Sequence, residues 1–407
     1  MKKLKKTAAF GLAAAMCASM ALPAFAGSTN VATAGGTTTF DKYLVMDESA
    51  NVPVATFNYT IAAGTAKAYD VDGHEVQVLA GVGTPTISNG GAISFSASDT
   101  TILEANKEPN DLVKNLEEGQ KYAKKTATVD FTGCSFPEPG IYRYVITESG
   151  TNQGVTNDSD LTRYLDVYVV NSAADENTDA TTTLSVLGYV LHADDSVVGM
   201  GGDNGSDGTD PTGKKQGFTN TYATESLYIS KTVKGNQASA DKYFEITVDI
   251  SDAVVGTVYG VNLTGADATS ATNSATIAAN SGKTNPAEIT VGAGGKVTQK
   301  FYLQGGQYIE ISGLAPGTQV SVVENEEDYQ PSVEVSGDAT ANVEENGADV
   351  VINATTTEDN EVRLTNTRQG AIPTGVIVSF LPYAALIGLG VLGFAVTKNK
   401  KEEKPEA

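Results

Sequence analysis

Short runs of alternating polar and apolar residues fill most of this chain, and Gly, Asn and Asp clusters separate them. Period-2 alternation over five to ten residues is the signature of half-buried strands, because side chains two apart share a face. In the first half, strands are expected from Thr38 to Val45 and at Val54–Ile61, Ile93–Ser96, Ala127–Phe131, Ile141–Glu148, Tyr164–Val170, Thr182–His192 and Gly217–Ala223. The second half begins with Leu227–Val233. It continues with Phe244–Ile250, Ala275–Ala278, Glu288–Val291, Lys296–Leu303, Tyr308–Ile311, Thr318–Glu324, Ser332–Val335, Asp349–Ile352 and Glu361–Thr367. One stretch reads otherwise. From Asn110 to Lys121 a capping Asn precedes Leu112, Val113 and Leu116 on one helical face, which predicts a helix. Many short strands with regular turns predict an all-β protein of two tandem immunoglobulin-like, Greek-key sandwiches, at 27–223 and 224–370.

Both ends of the chain carry a different pattern. Residues 1–26 have a basic start, an apolar run and the small-x-small site Ala24-Phe25-Ala26, which is a secretory signal peptide. At the other end, Ile372-Pro373-Thr374-Gly375 lies in a short motif segment, 371–375. An uncharged apolar run, 376–396, follows it, and then a basic tail, 397–407. Twenty-one residues as a helix reach about 31 Å, enough to cross a bilayer, and the lysines behind them hold the tail in the cytoplasm. Between the two processed ends, 19 Lys and Arg oppose 46 Asp and Glu, a charge of −27. So acidic a surface argues against nucleic acid or an anionic membrane as partner. Cys134 is the single cysteine of that mature span, so no intrachain disulfide can form; it is expected in the core. With one cysteine and two histidines, no metal site and no cofactor are expected. Asp203, Asp207 and Asp210 in the Gly/Asp-rich segment 199–213 match no calcium-loop spacing and read as a solvated loop.

Strand parity exposes polar residues where core residues belong. Lys42 shares its face with Phe40 and Leu44, and Lys231 with Leu227, Ile229 and Val233. Glu148 follows Tyr142, Tyr144 and Ile146 on one face, and Glu324 follows Val320 and Val322. Asn220 lies between Phe218 and Tyr222, and Asn366 follows Val362 and Leu364. The order Lys, Glu, Asn occurs once in each half. Such a triplet could be a buried ion pair beside a satisfied amide, but its repetition favours a reaction. Desolvation strips the lysine of its proton and the carboxyl gains one. The neutral glutamic acid can then polarise the Asn carbonyl and shuttle protons, while the amine attacks that carbonyl with ammonia as leaving group, giving a Lys–Asn isopeptide bond.

This pattern resembles the isopeptide-linked pilin domains of Gram-positive bacteria, especially two-domain streptococcal major pilins. The run Phe218-Thr219-Asn220-Thr221-Tyr222, leading directly into Leu227-Tyr228-Ile229-Ser230-Lys231-Thr232-Val233, carries most of the likeness. The terminal motif resembles the sorting signals cut by sortases. The resemblance implies bonds Lys42–Asn220 and Lys231–Asn366 promoted by Glu148 and Glu324. It implies sortase cleavage between Thr374 and Gly375 and head-to-tail linkage of Thr374 to a lysine of the next subunit. Partners would be a sortase, identical subunits, tip or base pilins and peptidoglycan, at the cell surface, with the precursor transiently membrane-anchored. A Tyr-Pro-Lys motif that fixes the acceptor in another pilin group is missing. Lys214 and Lys215, just before the last strand of the first domain, are candidates, with Lys121, Lys124 and Lys125 as rivals. The chain is thus expected to be a structural polymer subunit rather than an enzyme. A wall-anchored adhesin or accessory pilin, never polymerised, is the alternative.

Overall fold

The computed structural model describes residues 33–370 except 72–73, 108–112, 114–115, 172–183, 194, 196–216, 240, 266–282, 326, 338 and 354–359. The described residues are almost wholly β, with two short 3-10 turns as the remaining regular structure. Four large sheets pack in two pairs.

In the first pair, the strands Gly217–Tyr222, Thr37–Asp47 and Gln120–Asp130 lie side by side at the centre of one sheet. The facing sheet runs in the order Leu184–His192, Thr162–Asn171, Gly140–Ser149, Ala55–Ala63, Ala92–Phe95. Phe40, Leu44 and Phe218 from the one and Phe57, Tyr144 and Ile146 from the other share a single core. A hairpin, Lys67–Val71 with His74–Ala80, joins the second sheet through Ile141↔Val78. It roofs the outer face, where Arg143 forks to both oxygens of Asp166 at 2.7 Å each.

The second pair repeats the plan. One sheet has the order Glu288–Thr290, Val258–Gly265, Gln307–Leu314, Glu225–Lys234, Asn360–Thr367, Gln330–Ser336. The other runs Val297–Leu303, Phe244–Ser251, Gln319–Glu324, Gly347–Val351, Thr340–Val343. Ile229, Ile246, Val322 and Leu364 lie in its core.

In each half the first and last strands pair in parallel, in the same register. Phe218 stands opposite Lys42 and Asn220 opposite Leu44. Leu364 stands opposite Lys231 and Asn366 opposite Val233. Parallel pairing means that the chain enters each sandwich at one end and leaves at the other.

Only Ala223 and Thr224 separate the last strand of the first sandwich from the first strand of the second. Polar contacts hold the joint: Gln153 Nε2 donates to the carbonyls of Asp252 (2.9 Å) and Pro316 (3.2 Å). Asn51 Nδ2 donates to Val258 (3.1 Å) and Tyr222 Oη to Gly313 (3.3 Å). Ala315, a residue of the second half, packs into the first core.

The expected helix is corrected. Gln120 and Lys121 open a strand, and Val113 and residues 116–119 are not helical; residues 110–112 and 114–115 lie outside the described residues. Val113 and Leu116 still share an apolar role, because they pack with Tyr43 and Val45 of the strand Thr37–Asp47 and Tyr122 of its neighbour on the outer face of the sheet. Cover on both faces lets the strand from Lys42 to Met46 be buried throughout. Cys134 is a buried core residue. The anticipated strand Ala275–Ala278, the Asp203–Asp207–Asp210 segment, the signal peptide and everything from Ala371 onward lie outside the described residues.

Gly217 shows how tightly the first and last strands approach. A Cβ there would come 1.6 Å from the Asp41 carbonyl oxygen. Gly217→Ala is expected to push the two strands apart and lower the stability of the first sandwich by about 1–3 kcal/mol, read from its denaturation midpoint.

Candidate functional site

The lysine and asparagine of each triplet project from one sheet and the glutamate from the sheet facing it. They meet inside the core. Lys42, Glu148 and Asn220 are no more than 1 % exposed, and Lys231, Glu324 and Asn366 no more than 2 %.

In the first sandwich Lys42 Nζ donates to Glu148 Oε2 at 2.7 Å. It also sits 4.2 Å from the centre of the Phe57 ring, whose face attracts a cation. Asn220 Nδ2 donates to Glu148 Oε1 at 2.6 Å, so the carboxyl bridges amine and amide with separate oxygens. Tyr59 Oη donates to Glu148 Oε2 at 2.6 Å. Tyr59 stands directly opposite Glu148 in the strand pairing, which makes this contact a consequence of register. The rings of Phe40, Tyr59 and Phe218 lie 5.0–5.8 Å apart and exclude water around the group. Burial pulls the Lys42 ammonium down to about 8, with Glu148 pulling the other way. Burial, reinforced by the Glu148 charge, raises the Tyr59 hydroxyl far above its ordinary value.

The Asn220 amide is held at both ends. Nδ2 donates again to Asn157 Oδ1 at 3.1 Å, and Oδ1 accepts the Asp158 backbone N–H at 2.8 Å. The Asp158 carboxylate in turn accepts Arg163 Nη2 at 2.7 Å and the Thr219 backbone N–H at 2.9 Å. Arg163 is buried over the Phe218 ring at 4.6 Å and donates to the Gly217 carbonyl at 3.0 Å.

The second sandwich has the same frame. Lys231 Nζ lies 2.6 Å from Glu324 Oε1 and 4.5 Å from the centre of the Phe244 ring. Asn366 Nδ2 donates to Glu324 Oε1 at 3.1 Å. Burial lowers the Lys231 ammonium to about 8, against the pull of Glu324. Phe244 precedes by two residues the strand partner of Glu324, as Phe57 does that of Glu148, but the partner here is Ile246 instead of a tyrosine.

Two apposed triplets are therefore brought together as the strand faces implied. Phe57, Phe244, Tyr59, Asn157, Asp158 and Arg163 were not among the expected site residues. Phe57 and Tyr59 share a face in an evident strand, where an aromatic that serves the lysine looks like any core aromatic. Asp158 sits in an Asn-Asp-Ser-Asp turn that carries no strand signal. Lys214 and Lys215, like Ile372, Pro373, Thr374 and Gly375, lie outside the described residues. Of the other lysines, Lys121 pairs with Met46 and donates to the Glu48 carbonyl at 2.8 Å, on the side facing the second sandwich. Lys124 lies 3.1 Å from Asp41 and Lys125 2.9 Å from Asp99.

Chemically, each site holds an amine with a weakened hold on its proton, a carboxyl able to carry that proton, and a carboxamide, all shielded from water. Residues 77–223 match the Spy0128-like isopeptide containing domain, and residues 225–368 match a domain of unknown function. A pilin of Streptococcus pyogenes serotype M1 is 25% identical over 303 residues, 68% of this chain and 72% of that protein. A crystal structure of the major pilin from Streptococcus pyogenes covers 83% of this chain and 100% of its own, with 18% identity and a TM-score of 0.48. The major pilin T-13 of the same species covers 83% and 98%, with 20% identity and a TM-score of 0.46. The resemblance to Gram-positive major pilins, read first from the strand faces, is borne out.

Removing Glu148 strands a buried lysine. Glu148→Ala is expected to cost the first sandwich about 3–5 kcal/mol, visible as a lower melting transition, while the second sandwich keeps its own.

Proposed function

We propose that the chain is a structural pilus subunit, polymerised head to tail at the cell surface, with each sandwich closed by a self-catalysed Lys–Asn isopeptide bond. The observation that carries this reading is the identical register of two buried Lys–Glu–Asn triplets in two sandwiches. A buried lysine-carboxylate pair does little for stability compared with apolar packing, so stability alone gives little reason to place it twice. Reaction does. Within each pair the proton passes from lysine to glutamate. The neutral amine of Lys42 or Lys231 attacks the carboxamide of Asn220 or Asn366, and Glu148 or Glu324 hands the leaving nitrogen its proton. The protein acts on itself and needs no cofactor. It is not an enzyme for an external substrate.

Polymerisation rests on the terminal motif. A sortase cleaves between Thr374 and Gly375, with Ile372 and Pro373 presenting the bond, and transfers Thr374 to an amine of the next subunit. The strand directions support Lys214 or Lys215 as that amine. Gly217 pairs with Asp41, toward the end of the first sandwich remote from the joint, and the two lysines precede it. Arg368, by contrast, follows the last strand at the far end of the second sandwich, near Gly235. Lys121 is at the joint, the wrong end for a linear fibre. Tip or base pilins and peptidoglycan complete the partners. A wall-anchored adhesin that stays monomeric is the competing reading.

Both bonds together release two molecules of ammonia. The intact mass of the mature protein is expected to be about 34 Da below the sequence value, and an unshifted mass would end the cross-link reading. Immunoblots of wall extracts are expected to give a detergent-resistant ladder. Lys214→Arg with Lys215→Arg keeps the charge, removes both amines and is expected to collapse the ladder to a monomer. A ladder that survives places the acceptor elsewhere; a monomer in the unmodified protein favours the adhesin.

A further inference from the structure

The two sites differ at the atom where negative charge develops. When an amine adds to a carboxamide, the carbonyl oxygen becomes an oxyanion, and a donor already aimed at it lowers the barrier. Asn220 Oδ1 has such a donor, the Asp158 backbone N–H at 2.8 Å. Asn366 Oδ1 is buried and has no hydrogen-bond partner among the described residues. The Asn220 orientation is fixed independently, because Nδ2 points at two acceptors, Glu148 Oε1 and Asn157 Oδ1. The donor is itself anchored: the Asp158 carboxylate is tied to Arg163 and to the Thr219 N–H, one residue from Asn220.

We propose that the Asp158 main-chain N–H is the oxyanion donor for closure of the first sandwich, and that the second sandwich, which has none among the described residues, closes more slowly. This rests on the isopeptide reading above and adds to it a catalytic group and an order of events. The step balances without any co-reactant. The Lys42 ammonium gives one proton to Glu148. Its nitrogen lone pair forms a bond to Asn220 Cγ while the carbonyl π pair moves onto Oδ1, facing the Asp158 N–H. Glu148 then hands a proton to Nδ2 and takes one from the former lysine nitrogen. The Cγ–Nδ2 bond breaks, the carbonyl re-forms and ammonia departs, leaving a secondary amide and a protonated Glu148. In the second sandwich the same electrons move, but the charge on Asn366 Oδ1 has no aligned partner among the described residues.

The test uses the full chain made by cell-free synthesis. Translation is stopped, samples are acid-quenched at intervals, and joined and unjoined peptides are counted by mass spectrometry for each sandwich. The Lys42–Asn220 bond is expected to lead the Lys231–Asn366 bond by tenfold or more. Asp158→Pro removes the N–H and is expected to slow the first bond by about 10²–10³-fold, leaving the second at its own rate. Asp158→Ala keeps the N–H and slows the first bond far less. Bonds that both complete, with the first not leading the second, overturn the proposal and leave the cross-link reading standing. Asp158→Pro closing at the parental rate does the same. If neither bond ever forms in the parent chain, the cross-link reading falls too. Asp158→Pro, sampled before its first bond has formed, is compared in fold with the unreacted Glu148→Ala by circular dichroism and melting. Should the proline variant melt below that reference, the order of the two bonds in the parent chain decides alone.

Discussion

An ammonium group buried in an apolar sandwich is the constraint on which the rest of this structure depends. Desolvating such an ion costs several kcal/mol even after relaxation, and only close partners offset it. Here the partners come from two strands at once. Lys42 has a carboxylate from the opposite sheet and an aromatic face beside it, and Lys231 has the same pair of neighbours. Each contact requires a strand in one register. A slip by one residue would turn the lysine to the outer face and leave the glutamate buried alone. The polar group thus selects one pairing among several that apolar patterning alone would tolerate.

The two sandwiches share this frame but differ in how completely it is dressed. In the first, Glu148 divides its oxygens: one faces Lys42 and Tyr59, the other faces Asn220. In the second, one oxygen of Glu324 faces both Lys231 and Asn366. Ile246 replaces the tyrosine, so a contact made by register in the first half has no counterpart at that position. Both lysines are nonetheless brought to about 8 by burial, because the surrounding cores are equally dry. The Lys–Glu–Asn frame is common to both; the groups around it are not.

The triplets could be read from sequence because strand parity is a strict rule: a lysine between Phe40 and Leu44 must share their face. The supporting groups could not. Tyr59 obeys the same rule as any core aromatic, and its hydroxyl contact depends on which strand lies opposite. Asp158 acts through its backbone, which no side-chain pattern reports. The helix expected from Asn110 to Lys121 fails for a related reason. Val113, Leu116 and Tyr122 do cluster, but they do so around Tyr43 on the outer face of a sheet, and the chain there continues into the long strand Gln120–Asp130. The strand Val258–Gly265 was missed although Tyr259, Val261 and Leu263 alternate and face the core, because the Gly260 and Asn262 between them are residue types that mark turns.

The parallel pairing of first and last strands also decides what a cut would do to the molecule. A link from Lys42 to Asn220 encloses residues 43–219 in a ring, and one from Lys231 to Asn366 encloses 232–365. Between the rings only 221–230 runs as a single thread, and most of that thread is strand, tied into a sheet or pressed into the joint. Residues 172–183, 196–216 and 266–282 all fall within one or other of these spans. With both proposed links made, a protease cutting inside either span would open a circle without dividing the chain, and the backbone from one end of the subunit to the other would stay continuous through the cross-link. A polymer built from such units keeps its covalent length after damage that would cut an ordinary chain of domains in two.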